Sequence, residues 1–471
     1  MVNRLWCKIA IPILWREPWN YAIDYCNKDS LYSIITSYLS NDIKEFFTKK
    51  GIRISNQPLV FDYLSFCRSI NVIIIDKIIS IESSSEYNRF LLQEEIYSIL
   101  LKKCSEIKCL NIRGTYELVY LPEARFRLES LCELTCDTSI DSKYCYIISR
   151  ICQQIQRINI FNNNFKVNHG TAKLIEFQKN LKYFKWKDEF NYDYYTPYLE
   201  RLEDPYDEIF DILKKHANTL NHFEIVLQFD YPTNCHSDYR DIYNKYDYTF
   251  LQYTLLELHN LKILKINTPI FLNNNDFNKK LEMVAYRNLE IFETDFIDIY
   301  QATCIIKNSF YLRELRIHEY YVDHDEFNDD SLDFIRTICE NCFLIEYLSI
   351  PTFPLLEDYC IEFEKLLKKC QKLRSLYFKD SYHYEEGNEL EFGEYLLNVL
   401  VKETSKYLRE FGITCDFEFS LKALETFFEK WKGRPAVLMY LENSYIYKDD
   451  SYKRLVSKYI IEGVIKYISI Y

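Results

Sequence analysis

The sequence predicts a single α/β solenoid, with curved parallel strands on its concave side, helices outside and a short helical piece at the N-terminus. Three observations lead there. A six-residue apolar pattern recurs along most of the chain, helical spacing fills the intervals between copies, and 48% of the 471 residues are hydrophobic. That share is ample for a large core and excludes wholesale disorder. Length alone would suggest about three domains, but stacked repeats share one continuous core.

The pattern reads apolar, two variable residues, apolar, one variable residue, apolar. Its copies are Ile107–Ile112, Leu131–Cys136, Ile155–Ile160, Leu181–Trp186, Leu220–Ile225, Leu261–Ile266, Leu289–Thr294, Leu312–Ile317, Ile345–Ile350, Leu373–Phe378 and Leu408–Ile413. The last three positions alternate, which suits a short strand with one face buried. Segments such as Glu94–Leu101 and Phe363–Lys369 carry helical spacing between the copies. One strand and one helix cannot bury an apolar face alone, whereas a stack of such units can. Spacing and core pattern match the leucine-rich repeat. Three residues before the first anchor stand Cys104, Cys152, Ala217, Ser309, Cys342, Cys370 and Ser405, small residues where a helix must turn tightly onto its strand. Leu128, Gln178, Leu258 and Tyr286 occupy the same place in the other repeats, so the rule is loose. This spacing resembles the cysteine-containing repeat subtype of F-box proteins, and these cysteines read as packed structural residues.

The stretch Val2–Trp19 contains a V-x-R-x-W helix followed by a short segment ending in Leu14-Trp15. It resembles the second half of an F-box, most closely that of the F-box/leucine-rich-repeat proteins which some fungi carry in large families. The resemblance covers about twenty residues and gains specificity from its pairing with cysteine-type repeats. It implies that Val2, Arg4, Trp6, Leu14 and Trp15 contact a Skp1-type adaptor, and that the chain recognises a target protein for an SCF-type ubiquitin ligase. The front half of an F-box, with its leading Leu-Pro and first amphipathic helix, would precede Val2. The expectation is that the gene model starts late or that this copy has lost its adaptor contact. The alternative is that Trp6, Leu14, Trp15 and Trp19 cap the open end of the repeat core. Expected divisions are 1–40, an F-box-like remnant or cap; 41–100, helical and strand units leading in; 101–450, the repeats; and 451–471, a C-terminal capping helix.

Composition narrows the chemistry. The chain has only 8 glycines, and none has the spacing of a dinucleotide fingerprint, a P-loop or a nucleophile elbow. Its 70 acidic residues exceed 58 basic ones, which argues against nonspecific nucleic-acid binding. No apolar run approaches the roughly 18 residues needed to span a bilayer, and no secretory signal is evident. The 16 cysteines therefore read as reduced thiols of a soluble cytosolic or nuclear protein. Cys339-x-x-Cys342 lacks a second ligand pair for zinc. His318-Glu319 has Val322 where a metalloprotease helix needs its second histidine. Asp323–Asp330 lacks the glycine and final glutamate of a calcium loop. No cofactor, metal or catalytic role follows, and the chain is expected not to be an enzyme.

A binding surface remains. The non-anchor strand positions expected on the concave face are Arg113, Arg157, Lys185, Glu224, Lys265, Glu293, Glu314, Arg316, His318, Tyr347, Tyr377 and Glu410. Their mixed charge suits a protein or peptide better than a polyanion, and tyrosine and arginine are enriched at binding hot spots. Two expanded units, with insertions Asp188–Glu208 and Asp230–Tyr248, are expected to add loops to the partner site. Periodicity and composition reach only a binding scaffold. A repeat-based interaction protein or inhibitor without an adaptor is therefore the second expectation.

Overall fold

Each of the eleven apolar copies lies on a strand, and within each of the chain's two units the strands pair in parallel in chain order. In the computed structural model the described residues are all those outside 1–3, 20–24, 83–84, 115–116, 164–167, 190–205, 228–248, 268–274, 322–328, 380–388, 414–418, 442–448 and 471. The chain divides into two units, Met1–Leu220 and Asn221–Tyr471. Both are leucine-rich-repeat assemblies of one strand and one helical return per repeat.

In the first unit β1 (Ser69–Asn71), β2 (Cys109–Asn111), β3 (Glu133–Asp137), β4 (Arg157–Asn162) and β5 (Tyr183–Asp188) pair in chain order. The pairing aligns the anchors: Leu110 sits beside Leu134, Leu134 beside Ile158, and Ile158 beside Phe184. In the second unit the strands are β6 (His222–Val226), β7 (Ile263–Asn267), β8 (Ile291–Asp298), β9 (Glu314–Tyr321), β10 (Tyr347–Pro351), β11 (Ser375–Lys379), β12 (Glu410–Ile413), β13 (Val437–Leu441) and β14 (Ile465–Ile470). Phe223, Leu264, Phe292, Leu315, Leu348, Leu376, Phe411, Met439 and Ile468 form one unbroken row across them. All eleven first anchors, from Ile107 to Leu408, are fully buried. Each such side chain is worth about 1.5–3 kcal/mol relative to exposure, so a one-residue slip would lose a whole row at once.

Successive helices pack on one another behind the strands: Ser142–Ile151 on His169–Glu176 in the first unit, and Ile299–Ile306 through Asp450–Ile461 in series in the second. The closest approach is at Gly170, where a β-carbon would meet Ser142 Cα at 2.6 Å and Cys145 Cβ at 2.9 Å. Only glycine fits there.

The position three residues before each first anchor turns out to be a hydrogen-bonding position. Cys152 Sγ lies 3.2 Å from the carbonyl of Leu128, its counterpart one repeat earlier. Gln178 Nε2 donates to the carbonyl of Cys152 at 2.9 Å, and its Oε1 accepts from Ile155 N–H at 3.0 Å. Ser309 Oγ donates to the carbonyl of Tyr286 at 3.2 Å. Cys370 Sγ reaches the Cys342 carbonyl at 3.8 Å, and Ser405 Oγ the Gln371 carbonyl at 2.7 Å. Gln178 thus obeys the rule that its size had hidden. Burial pushes the Cys152 and Cys370 thiols up to about 12, which makes them inert packing groups.

Three strands escaped the sequence reading. β1 carries Cys67-x-x-Ile70-x-Val72, an in-register copy whose first anchor is a cysteine. β13 has Ala436 in the first-anchor place, and its pairing with β14 shifts at Val437–Leu438. The expected capping helix at 451–471 is a helix plus a strand: Asp450–Ile461 ends at Gly463 (φ +73), and Ile465–Ile470 then pairs with β13 as β14. Positive φ at that glycine lets the chain leave the helix and re-enter the sheet within three residues. The insertion expected to run to Glu208 is shorter at its end, because Tyr206 already starts the helix Tyr206–Leu213. At its start Asp188 still belongs to β5; residues 190–205 and Asp230–Tyr248 lie outside the described residues, as do Val2 and most of Asp323–Asp330. No described helix is long and apolar enough to cross a membrane.

Candidate partner-binding face and N-terminal helix

Alternation along each strand sends the anchors toward the helices and the residues between them to the other side of the sheet. In the first unit this outer side holds cation–ring pairs. Arg157 lies 4.0 Å from the centre of the Tyr183 ring and 3.6 Å from Glu133. Arg113 follows β2; its guanidinium is 3.7 Å from the Phe161 ring centre and its Nη2 is 2.6 Å from Glu189 Oε2. Lys187 pairs with the same carboxylate at 3.0 Å, so flanking cations hold Glu189 below the usual carboxylate range against its burial. Lys185 occupies the middle of β5, half-buried.

The second unit gathers more of the expected residues. His222 and Glu224 approach at 3.5 Å on β6, and Lys265 on β7 bonds Glu293 on β8 at 2.6 Å. On β9 Arg316 is held by Glu314 at 2.9 Å, and its guanidinium sits 3.7 Å over the ring of Tyr347 on β10. Tyr347 stacks on Tyr377 of β11, with ring centres 5.1 Å apart and 22° between planes. Tyr377 stacks in turn on Tyr440 of β13, at 6.0 Å and 29°. That contact reaches past β12 because the intervening residue is Gly412, where a β-carbon would come within 2.5 Å of Tyr377 Cε1. Glu410 of β12 accepts from the Tyr377 hydroxyl at 2.5 Å and from Ser375 Oγ at 2.8 Å. Burial and this carboxylate both push the Tyr377 phenol up, so it stays a neutral donor. His318 is more exposed, 3.9 Å from Asp295, whose carboxyl is raised by burial and eased back by the histidine. Arg316, Tyr347, Tyr377 and Glu410 thus come together. Tyr440, Gly412 and Ser375 complete the group and were absent from the sequence reading, because β13 has only the small Ala436 as first anchor and a lone glycine announces nothing. Cys339 and Cys342 lie in and just after the helix Asp329–Asn341, both buried. Among the described residues no cluster of three metal-binding side chains occurs.

The N-terminal stretch splits in two. Arg4–Leu14 is a helix, with Arg4 at its first turn and Pro12 in its last. Leu5, Ile9 and Ile13 follow at four-residue spacing with Trp6 beside them, and these four and Leu14 are 45–67% exposed. The residues after the helix are tied down instead. Trp15 packs on Tyr63 with ring centres 4.7 Å apart. Arg16 accepts from the Arg68 N–H at 2.8 Å, and buried Trp19 donates from Nε1 to the carbonyl of Ser69 at 2.9 Å, on β1. Of the residues expected at an adaptor contact, Trp6 and Leu14 face outward and Trp15 is engaged internally. The expected end cap is made by Trp15 and Trp19 alone.

No family model matches this chain, and no curated protein matches its sequence. Solved structures align with it at low similarity. The crystal structure of the TLR13–ssRNA13 complex aligns over 73% of this chain at 10% identity with a TM-score of 0.34. The leucine-rich-repeat-containing protein LegL7 from Legionella pneumophila aligns over 72% at 8% identity, with a TM-score of 0.30 and 95% of its own length covered. The chain spans about half of the TLR13 chain, 48%.

Proposed function

We propose that this chain is the substrate-recognition subunit of an SCF-type ubiquitin ligase, holding a target protein on its strand face and docking a Skp1-type adaptor through the N-terminal helix. The observation that supports this most is the outward apolar face of Leu5, Trp6, Ile9, Ile13 and Leu14 on a helix whose following residues are fixed by Trp15 and Trp19. Five large apolar side chains on one short helix are costly in water, and a partner that covers them recovers that cost. The helix would act as an adaptor hook on a rigid mount, the subunit would work in cytosol or nucleus, and it would bring no chemistry of its own.

A second reading, a free-standing repeat scaffold or inhibitor, draws support from Trp15. That residue belongs to the F-box-like stretch but is spent on Tyr63. Capture by purified Skp1 separates the two. Intact chain is expected to be retained, and Trp6→Ala with Ile9→Ala to weaken retention by about tenfold or more without loss of fold. No capture of the intact chain, or equal capture of the variant, would remove the adaptor role.

A further inference from the structure

The strand face of the second unit has an internal indication of what it takes. Arg316 already lays a guanidinium on the Tyr347 end of the ring stack, at 3.7 Å. Its charge is matched by Glu314 at 2.9 Å, and the strand-face cation of β7, Lys265, is matched by Glu293 at 2.6 Å. Lys379 lies toward the Tyr377 ring, 5.8 Å from its centre. Glu410 is different. It accepts from two neutral hydroxyls, Ser375 and Tyr377, and among the described residues it makes no ion pair, unlike Glu293 and Glu314. Two fixed O–H donors orient this carboxylate without neutralising it. Beside it stand the electron-rich rings of Tyr377 and Tyr440, stacked over the flat ground that Gly412 leaves. Tyr377 is enclosed between Tyr347 and Tyr440, so the Tyr440 end of the stack is the counterpart of the Tyr347 end that Arg316 covers, and a carboxylate beside the end of such a stack is the arrangement that recognises an organic cation.

We propose that this face holds an arginine- or lysine-bearing segment of the protein partner, with the cation seated against Glu410 at the Tyr440 end of the ring stack. The proposal rests on the strand face being the partner site, but not on the adaptor role. The charge of the face points the same way: five carboxylates (Glu224, Glu293, Asp295, Glu314, Glu410) stand against Lys265, Arg316 and Lys379. Such an excess disfavours acidic segments and draws basic ones.

The test is selection of a displayed random dodecapeptide library on the intact chain, with sequencing of the enriched pool. Arginine and lysine are expected to rise about threefold or more over the input, and the best peptide, made synthetically, to bind Glu410→Gln and Tyr440→Leu about tenfold more weakly. Glu340→Gln, on the exposed face of the helix Asp329–Asn341, is expected to bind as the parent does. Circular dichroism and melting of each variant establish that it is folded. An acidic or uncharged pool, no enrichment at all, or basic peptides indifferent to Glu410→Gln and Tyr440→Leu would each overturn the proposal. Skp1 capture by the same preparations reports separately on the adaptor reading. Retained capture with a failed selection sinks only the cation site.

Discussion

Gly412→Ala should unsettle the strand face from a residue that presents no functional group. A β-carbon at this position comes within 2.5 Å of Tyr377 Cε1 and 3.4 Å of Cγ, whereas carbon atoms prefer about 3.5–4.0 Å. The ring must therefore move by about 1 Å, but it is held between Tyr347 at 5.1 Å and Tyr440 at 6.0 Å. Displacing it gives up the Tyr377–Glu410 bond, worth about 1–2 kcal/mol at a half-exposed carboxylate, and stacking worth about 0.5–1.5 kcal/mol. Alanine returns about 0.5–1 kcal/mol by being stiffer than glycine in a strand. The expected net loss is about 1–2 kcal/mol, local to β11–β13. Hydrogen exchange of peptides from these strands, read as opening free energies, measures it. The decisive comparison is a double-mutant cycle: in a Tyr377→Leu background the alanine should cost almost nothing. A Gly412→Ala chain as stable as the parent, or an equal cost in both backgrounds, would refute the reasoning.

Other outcomes follow from the same structure. Gly170→Ala forces a side chain into the Ser142 backbone and Cys145, and should lower the stability of the first unit by about 1–3 kcal/mol in urea titration. Gln178→Ala strands the Ile155 N–H and the Cys152 carbonyl together; a cost of about 2–3 kcal/mol is expected, and no cost would make the inter-repeat ladder ornamental. His216 is buried with Nε2 3.0 Å from the Ile175 carbonyl, and burial, aided by Lys215, lowers its basicity despite that carbonyl. The unfolded chain, titrating near about 6.5, takes up this proton first as pH falls, so His216 contributes stability at neutral pH that is lost below about 6.5. Urea midpoints at about pH 7.5 and 5.5 should differ more for the parent than for His216→Gln, and equal slopes would sink the assignment.

The fold was legible because its rule is repetitive and local. An apolar triad with fixed spacing specifies a strand, its buried face and its register together, and the rows from Phe223 to Ile468 are built on it. Legibility ended where a slot held an atypical residue: Cys67 ahead of β1, Ala436 ahead of β13, and Gln178, whose amide does by reach what a small residue does by fit. The candidate site was legible as a face and not as a group. Arg316, Tyr347, Tyr377 and Glu410 could be placed on strands from their spacing, but their convergence depends on Gly412 letting one ring reach across a strand. At the N-terminus, Trp6 and Trp15 look alike in sequence. Only packing separates them, one left outward and the other set on Tyr63.

Hydrogen exchange of the intact chain with and without purified Skp1 tests the central claim most directly. The proposed adaptor contact is residues 4–14, remote in sequence from the strand face proposed for the partner. Protection that rises over the helix Arg4–Leu14, with β9–β13 unchanged, is the result expected. Protection on the strand face, or none anywhere at saturating adaptor, would contradict it.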